Sequence, residues 1–137
     1  MPMKSLLAIL MFLAFPIFAL LAQENNTSGN PKVEVYYFHA TMRCPTCLAI
    51  EEQTRKTLDE NFGEELKAGS VKLVVMNLEE IENEALVKKF EIGWSSLILY
   101  VPESGKTVNL TEDAFANARS HPDEFRGELQ KAIKELM

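Results

Sequence analysis

The sequence predicts an α/β fold, on three observations. Runs of β-branched and aromatic residues alternate with segments of helical pattern. Turn chemistry at Pro102-Glu103-Ser104-Gly105 joins the last two runs as a hairpin. The only two cysteines, Cys44 and Cys47, stand where the first run gives way to the first helix. Strands separated by helices lie parallel, because parallel neighbours need a crossover connection, and the hairpin adds antiparallel strands at one edge.

The chain has 137 residues, 47% apolar and 25% charged, with a formal charge of −6. That is enough for one domain with a real core, too few for two, and too apolar for disorder. No basic stripe is present, so no nucleic-acid partner is expected. Two cysteines do not make a stapled scaffold; the pair points to chemistry or metal binding.

Residues 1–22 have the shape of a secretory signal peptide. Lys4 supplies the positive start, Leu6 to Ala22 is uncharged and apolar, and polar Gln23-Glu24-Asn25-Asn26 follows. Pro16 and the marginal length weaken a spanning helix, although an uncleaved anchor is the alternative. Any membrane association is expected through residues 1–22 alone. The folded part is expected in an extracytoplasmic or periplasmic space, as a monomer, where a dithiol meets oxidants. Residues 23–32 read as a polar linker, with the domain spanning 33–137.

Within the domain, Val33 to Phe38 is a strand by propensity. A helix follows from Cys44 to about Asn61, with Leu48, Ile50, Leu58 and Phe62 on its apolar side and Gly63 marking its exit. Ser70 to Asn77, apolar after Lys72, reads as a central buried strand. Asn83 is placed as the N-cap of a helix from Glu84 to Phe90, with Ala85, Leu86 and Phe90 inward. Gly93-Trp94-Ser95-Ser96 is a bend, Leu97 to Val101 a strand, and Lys106 to Leu110 its hairpin partner. Thr111 is expected to cap a short helix through Ala118. Ser120 and Asp123 form a capping-box pattern with Pro122 in the first turn, ahead of an apolar stripe of Phe125, Leu129, Ile133 and Leu136.

The chemistry concentrates in Met42-Arg43-Cys44-Pro45-Thr46-Cys47. A helix N-terminus carries partial positive charge and unpaired N–H groups, so a thiol there is stabilised as thiolate. Two thiols at this spacing can close a disulfide or share one soft metal ion. Arg43 adds positive charge beside Cys44. Pro45 sits where an N–H has no intrahelical partner.

With this element order around it, the Cys44-Pro45-Thr46-Cys47 corner resembles the thioredoxin-like superfamily over about Val33 to Met137. The stretch from Asn83 to Gly93 is similar to the family's segment leading to its cis-proline loop. The resemblance implies a three-layer fold, a mixed sheet of four or five strands flanked by helices, and thiol–disulfide exchange with a partner protein bearing reactive thiols or a disulfide. It makes Cys44 the attacking sulfur and Cys47 the buried resolving thiol, with no cofactor beyond their redox-active disulfide. Arg43, Pro45, Thr46 and His39 are then modulating residues, and Trp94, Ser95 and Ser96 line the substrate groove. Three departures stand out. Ser95 replaces the cis-proline, and a trans loop is expected because a non-proline cis bond costs about 3–4 kcal/mol. Arg43 replaces a tryptophan, and the buried carboxylate before the motif has no match in Tyr36-Tyr37-Phe38-His39.

A second reading uses the same residues. Met42-x-Cys44-x-x-Cys47 also fits the loop of heavy-metal-associated domains, where two thiolates hold Cu(I). Those domains continue into a strand hairpin, whereas here a helix-like segment, Glu84 to Phe90, follows the second strand. His39 and His121 could join both cysteines in a zinc set, against the plainer readings of a strand-end histidine and a helix-start histidine. Met42 reads as a hydrophobic rim, Trp94 and Tyr100 as packing residues, and Glu79, Glu80, Glu82 and Glu84 as a solvated helix start.

Overall fold

The computed structural model describes residues 29–137. The signal-peptide reading and most of the linker lie outside the described residues. In chain order the elements are β1 (Val33–His39), α1 (Pro45–Asn61), α2 (Gly63–Ala68), β2 (Val71–Asn77), α3 (Glu84–Lys89), β3 (Ser96–Val101), β4 (Lys106–Asn109), α4 (Thr111–Asn117) and α5 (Pro122–Leu136). A single turn of 3₁₀ helix, Ile81–Asn83, leads into α3. No helix among the described residues is long and apolar enough to cross a membrane.

The four strands form one mixed sheet in the order β2-β1-β3-β4. β1 runs parallel to β2, with Tyr37 beside Val75, and antiparallel to β3, with Tyr37 beside Leu97. β3 and β4 close the expected hairpin, Leu99 facing Val108. Alternation along β1 sends side chains to two helical layers. Val33, Val35 and Tyr37 meet Ile50, Leu58, Phe125, Leu129 and Ile133 of α1 and α5. Tyr36 and Phe38 meet Leu86, Val87 and Phe90 on the other side, where Lys89 lies 4.0 Å above the Tyr100 ring. Both faces of the sheet are therefore covered, as the three-layer expectation requires.

Several local expectations are corrected. β2 is an outer strand, not a central one; Lys72 is exposed and Leu73, Val74 and Val75 are only half-buried. Its apolar character reflects helices on both faces rather than strands on both sides. Gly63 does not end the helical region but opens α2, and the true exit is Gly69 at φ 76°, a left-handed conformation that glycine adopts without Cβ strain. Ala85 faces solvent, as does Leu48.

The predicted caps also differ. Ser120 does not cap α5: its hydroxyl donates back to Ala116 O at 3.0 Å, and His121 occupies the cap position. Pro122 does sit in the first turn. Asn83 sends its amide to Asn77 O at 2.8 Å instead of capping α3. Thr111 is the first residue of α4, and its buried Oγ1 accepts the Leu97 N–H at 3.0 Å. Thr111 takes its partner from another element and Asn83 from the end of β2, whereas Ser120 back-bonds to the carbonyl one helical turn before it.

Candidate functional site

The corner between β1 and α1 is built from backbone conformation first. Cys44 is the N-cap of α1, extended at φ −76° and ψ 161°, and Pro45 takes the first helical position. Cys44 Sγ accepts the Cys47 N–H at 3.1 Å, as a capping oxygen would in the usual case. The two cysteines are joined as a disulfide, their Cα atoms 5.1 Å apart. Cys44 is exposed, whereas Cys47 is 7% exposed, and Thr46 between them is half-buried. An incoming sulfur therefore reaches Cys44 and not Cys47.

The surroundings of this pair contain residues that the sequence did not single out. Tyr37, fully buried, donates its hydroxyl to Cys47 O at 2.8 Å. Burial pushes its phenol up, against the opposing influence of Arg43. Alternation points Tyr37 to the same face as Val33 and Val35, so its helix-facing position was legible; its hydrogen bond was not.

Arg43 does not extend towards solvent beside Cys44. Its side chain is 22% exposed, its guanidinium lies 5.7 Å from the Tyr37 ring centroid, and Nη2 reaches Glu51 Oε2 at 2.6 Å. Glu51 also accepts from Arg55 Nε at 2.9 Å. Burial alone raises the Glu51 carboxyl, but the bonds and charges of Arg43 and Arg55 prevail and hold it below the usual carboxylate range. Burial likewise lowers Arg43, and Glu51 overrides it upwards. The expected bare positive charge next to Cys44 is thus a paired one.

The loop before the cysteines is strapped from two sides. Thr41 N–H donates to Glu79 Oε2 at 3.0 Å, and Asn77 Nδ2 donates to Thr41 Oγ1 at 2.9 Å. The Thr41 bond holds the exposed Glu79 carboxyl below its ordinary range. Glu79 therefore does more than solvate a helix start. Ala40 N–H donates to Ser95 Oγ at 3.3 Å, which brings the Ser95 loop against the cysteine loop. No cis peptide bond occurs among the described residues, so Ser95 is trans as expected.

The remaining predicted residues are distributed around this centre. His39 ends β1 with Nδ1 bonded to Ala40 O at 3.0 Å. Ser96 is buried, its hydroxyl donating to Trp94 O at 2.9 Å. Trp94 is 74% exposed and borders an open cleft of about 700 Å³ with Asn109, Thr111, Glu112 and Phe115. Met42 is 89% exposed, at the rim. Among the described residues no three His, Cys, Asp or Glu side chains cluster as metal ligands, so His39 and His121 do not complete a zinc set with the cysteines. A two-thiolate ion needs only the pair itself.

No family model and no curated protein matches the sequence. Among solved structures, the chain is similar to a malarial protein at 20% identity, covering 65% of this chain and 98% of that one, with a TM-score of 0.40. It is also similar to tryparedoxin I from Leishmania major, at 19% identity over 69% and 81% of the two chains, TM-score 0.43. A thioredoxin from Thermus thermophilus aligns at 18% identity over 74% of each chain, TM-score 0.42. By its own strand order and directions, and by a disulfide seated where β1 turns into α1, this chain has a thioredoxin-like fold.

Proposed function

We propose that this protein is an exported thiol–disulfide oxidoreductase that exchanges disulfides with a partner protein through Cys44 and Cys47. The observation that supports this most is the asymmetry of the pair: Cys44 exposed at the helix start with an N–H aimed at its sulfur, Cys47 buried one turn on. In the oxidising direction a partner thiolate attacks Cys44 Sγ, the Cys44–Cys47 bond breaks, and Cys47 leaves as thiolate. A second partner thiolate then attacks the partner's own sulfur in the mixed disulfide and releases Cys44 as thiolate. The partner has lost two electrons and the pair has gained them; the reducing direction is the same sequence reversed. The Cys47 N–H and the helix start stabilise the Cys44 thiolate as leaving group.

The test is equilibration of the protein in defined glutathione buffers. A reversible two-electron transition that disappears in Cys44→Ser, with mixed disulfides accumulating in Cys47→Ser, is the expected result. Tight Cu(I) binding without any exchange or thiol-oxidation activity would overturn it in favour of a soft-metal carrier.

A further inference from the structure

Arg43 and Glu51 stand eight residues apart on opposite sides of the disulfide, one in the approach loop and one on α1. Their ion pair at 2.6 Å spans the redox corner. The pair is largely shielded, at 22% and 19% side-chain exposure, so water screens it less than it would a surface pair. Arg43 is adjacent in sequence to the exposed sulfur and carries the nearest positive side chain in the cysteine loop. We infer that Glu51 is a tuning residue for the disulfide: by holding the Arg43 guanidinium against itself and over the Tyr37 ring, it withholds that charge from Cys44 and keeps the pair more reducing than its sequence motif implies. This rests on the exchange function proposed above. Glu51 touches neither sulfur in the bonds that define the site; it acts through Arg43 and is a positioning residue.

The physical logic is a charge cycle. A free cation beside Cys44 stabilises the thiolate, hence the reduced pair, and makes the disulfide a stronger oxidant. With Glu51 in place, Arg43 contributes a near-neutral dipole instead. The other charged or titratable groups facing this corner are Tyr37 from β1, whose hydroxyl is committed to Cys47 O, and Arg55, which shares Glu51. His39 is bonded to Ala40 O, and Glu79 to Thr41 N–H. Of these, Arg55 is the one released by the same substitution, and it lies a further turn along α1 and is half exposed.

The experiment measures the glutathione equilibrium constant and, in parallel, the rate of Cys44 alkylation by iodoacetamide in the reduced protein below the thiol's own midpoint. Glu51→Gln should shift the equilibrium about threefold towards the dithiol and raise the alkylation rate about threefold, the order expected for one unit charge uncovered in a partly hydrated site. Arg43→Met should move both in the opposite direction. Arg43→Met with Glu51→Gln should return both close to wild type, and Arg55→Gln should leave both within the error of wild type. An unchanged equilibrium in Glu51→Gln overturns the inference. So does a double variant that simply follows Glu51→Gln, because Arg43 would then not be the source of the charge. If the wild type shows no exchange at all, the exchange function itself fails, while the alkylation rates still report whether Glu51 masks Arg43.

Discussion

The buried hydroxyl of Tyr37 donates to the carbonyl oxygen of Cys47 at 2.8 Å, fastening the middle of the sheet to the first turn of the cysteine helix. Around it, Arg43 covers the ring and Glu51 holds Arg43. A motif with no buried carboxylate is thus supported by a phenol and an ion pair. The first turn must stay wound for the Cys47 N–H to remain aimed at Cys44 Sγ, and this bond helps hold it.

Tyr37→Phe removes that hydroxyl and leaves the ring. The loss should destabilise the fold by about 1 kcal/mol, lowering the melting temperature by roughly 4–6 °C for a domain of this size. Burial places the folded phenol above its unfolded value, near pH 10. A group raised in this way contributes in full below the unfolded value and loses its contribution as pH rises through the folded one. The stability gap between wild type and Tyr37→Phe should therefore be constant from pH 6 to 9 in urea unfolding. Equal stability of the two proteins would show that the bond contributes nothing.

Glu51 provides the opposite sign. Its folded carboxyl is held below the usual range by Arg43 and Arg55, so its contribution is present above the unfolded value, about 4.3, and is lost as pH falls through the folded one. At neutral pH, Glu51→Gln should cost about 1 kcal/mol, the upper end for a partly exposed pair. Denaturant midpoints of the two proteins should converge as the pH is taken from 7 to 3. Midpoints that stay parallel over that range would mean that the ion pair is energetically silent.

Thr111 offers a test far from the cysteines. Its Oγ1 accepts the Leu97 N–H in a buried setting, joining the start of α4 to the central strand β3. Thr111→Val keeps the shape but leaves that amide unpaired, a loss of about 1–3 kcal/mol, whereas Thr111→Ser should retain most of the stability. Thermal unfolding of both variants distinguishes a hydrogen-bond role from a packing one; if Val and Ser behave alike, the bond is not what matters.

Much of the fold was legible because local rules and burial agree. The β-branched and aromatic run of β1 and the hairpin at Pro102 to Gly105 express strand and turn chemistry, and the Phe125-Leu129-Ile133 stripe expresses the period that one covered helix face demands. The cysteine corner was legible for the same reason: Cys44, Pro45 and Cys47 occupy the cap, first and third positions that a helix start defines by itself.

What tertiary structure alone decided is which partner each polar group takes. Asn83 and Thr111 carry cap-forming side chains, yet Asn83 turns back to Asn77 O at the end of β2 and Thr111 takes the Leu97 amide that folding brings to it. The outer place of β2 depends on which side of β1 the crossover returns, and a run of apolar residues is silent about that choice. Arg43 reads as a free charge beside a thiol until α1 presents Glu51 to it. Residue types and spacing determine where a helix begins and which face is apolar, since those follow from backbone geometry and the avoidance of water. Which partner a charged or hydrogen-bonding group takes depends instead on how neighbouring elements are set against one another, and so it was decided only when the chain folded.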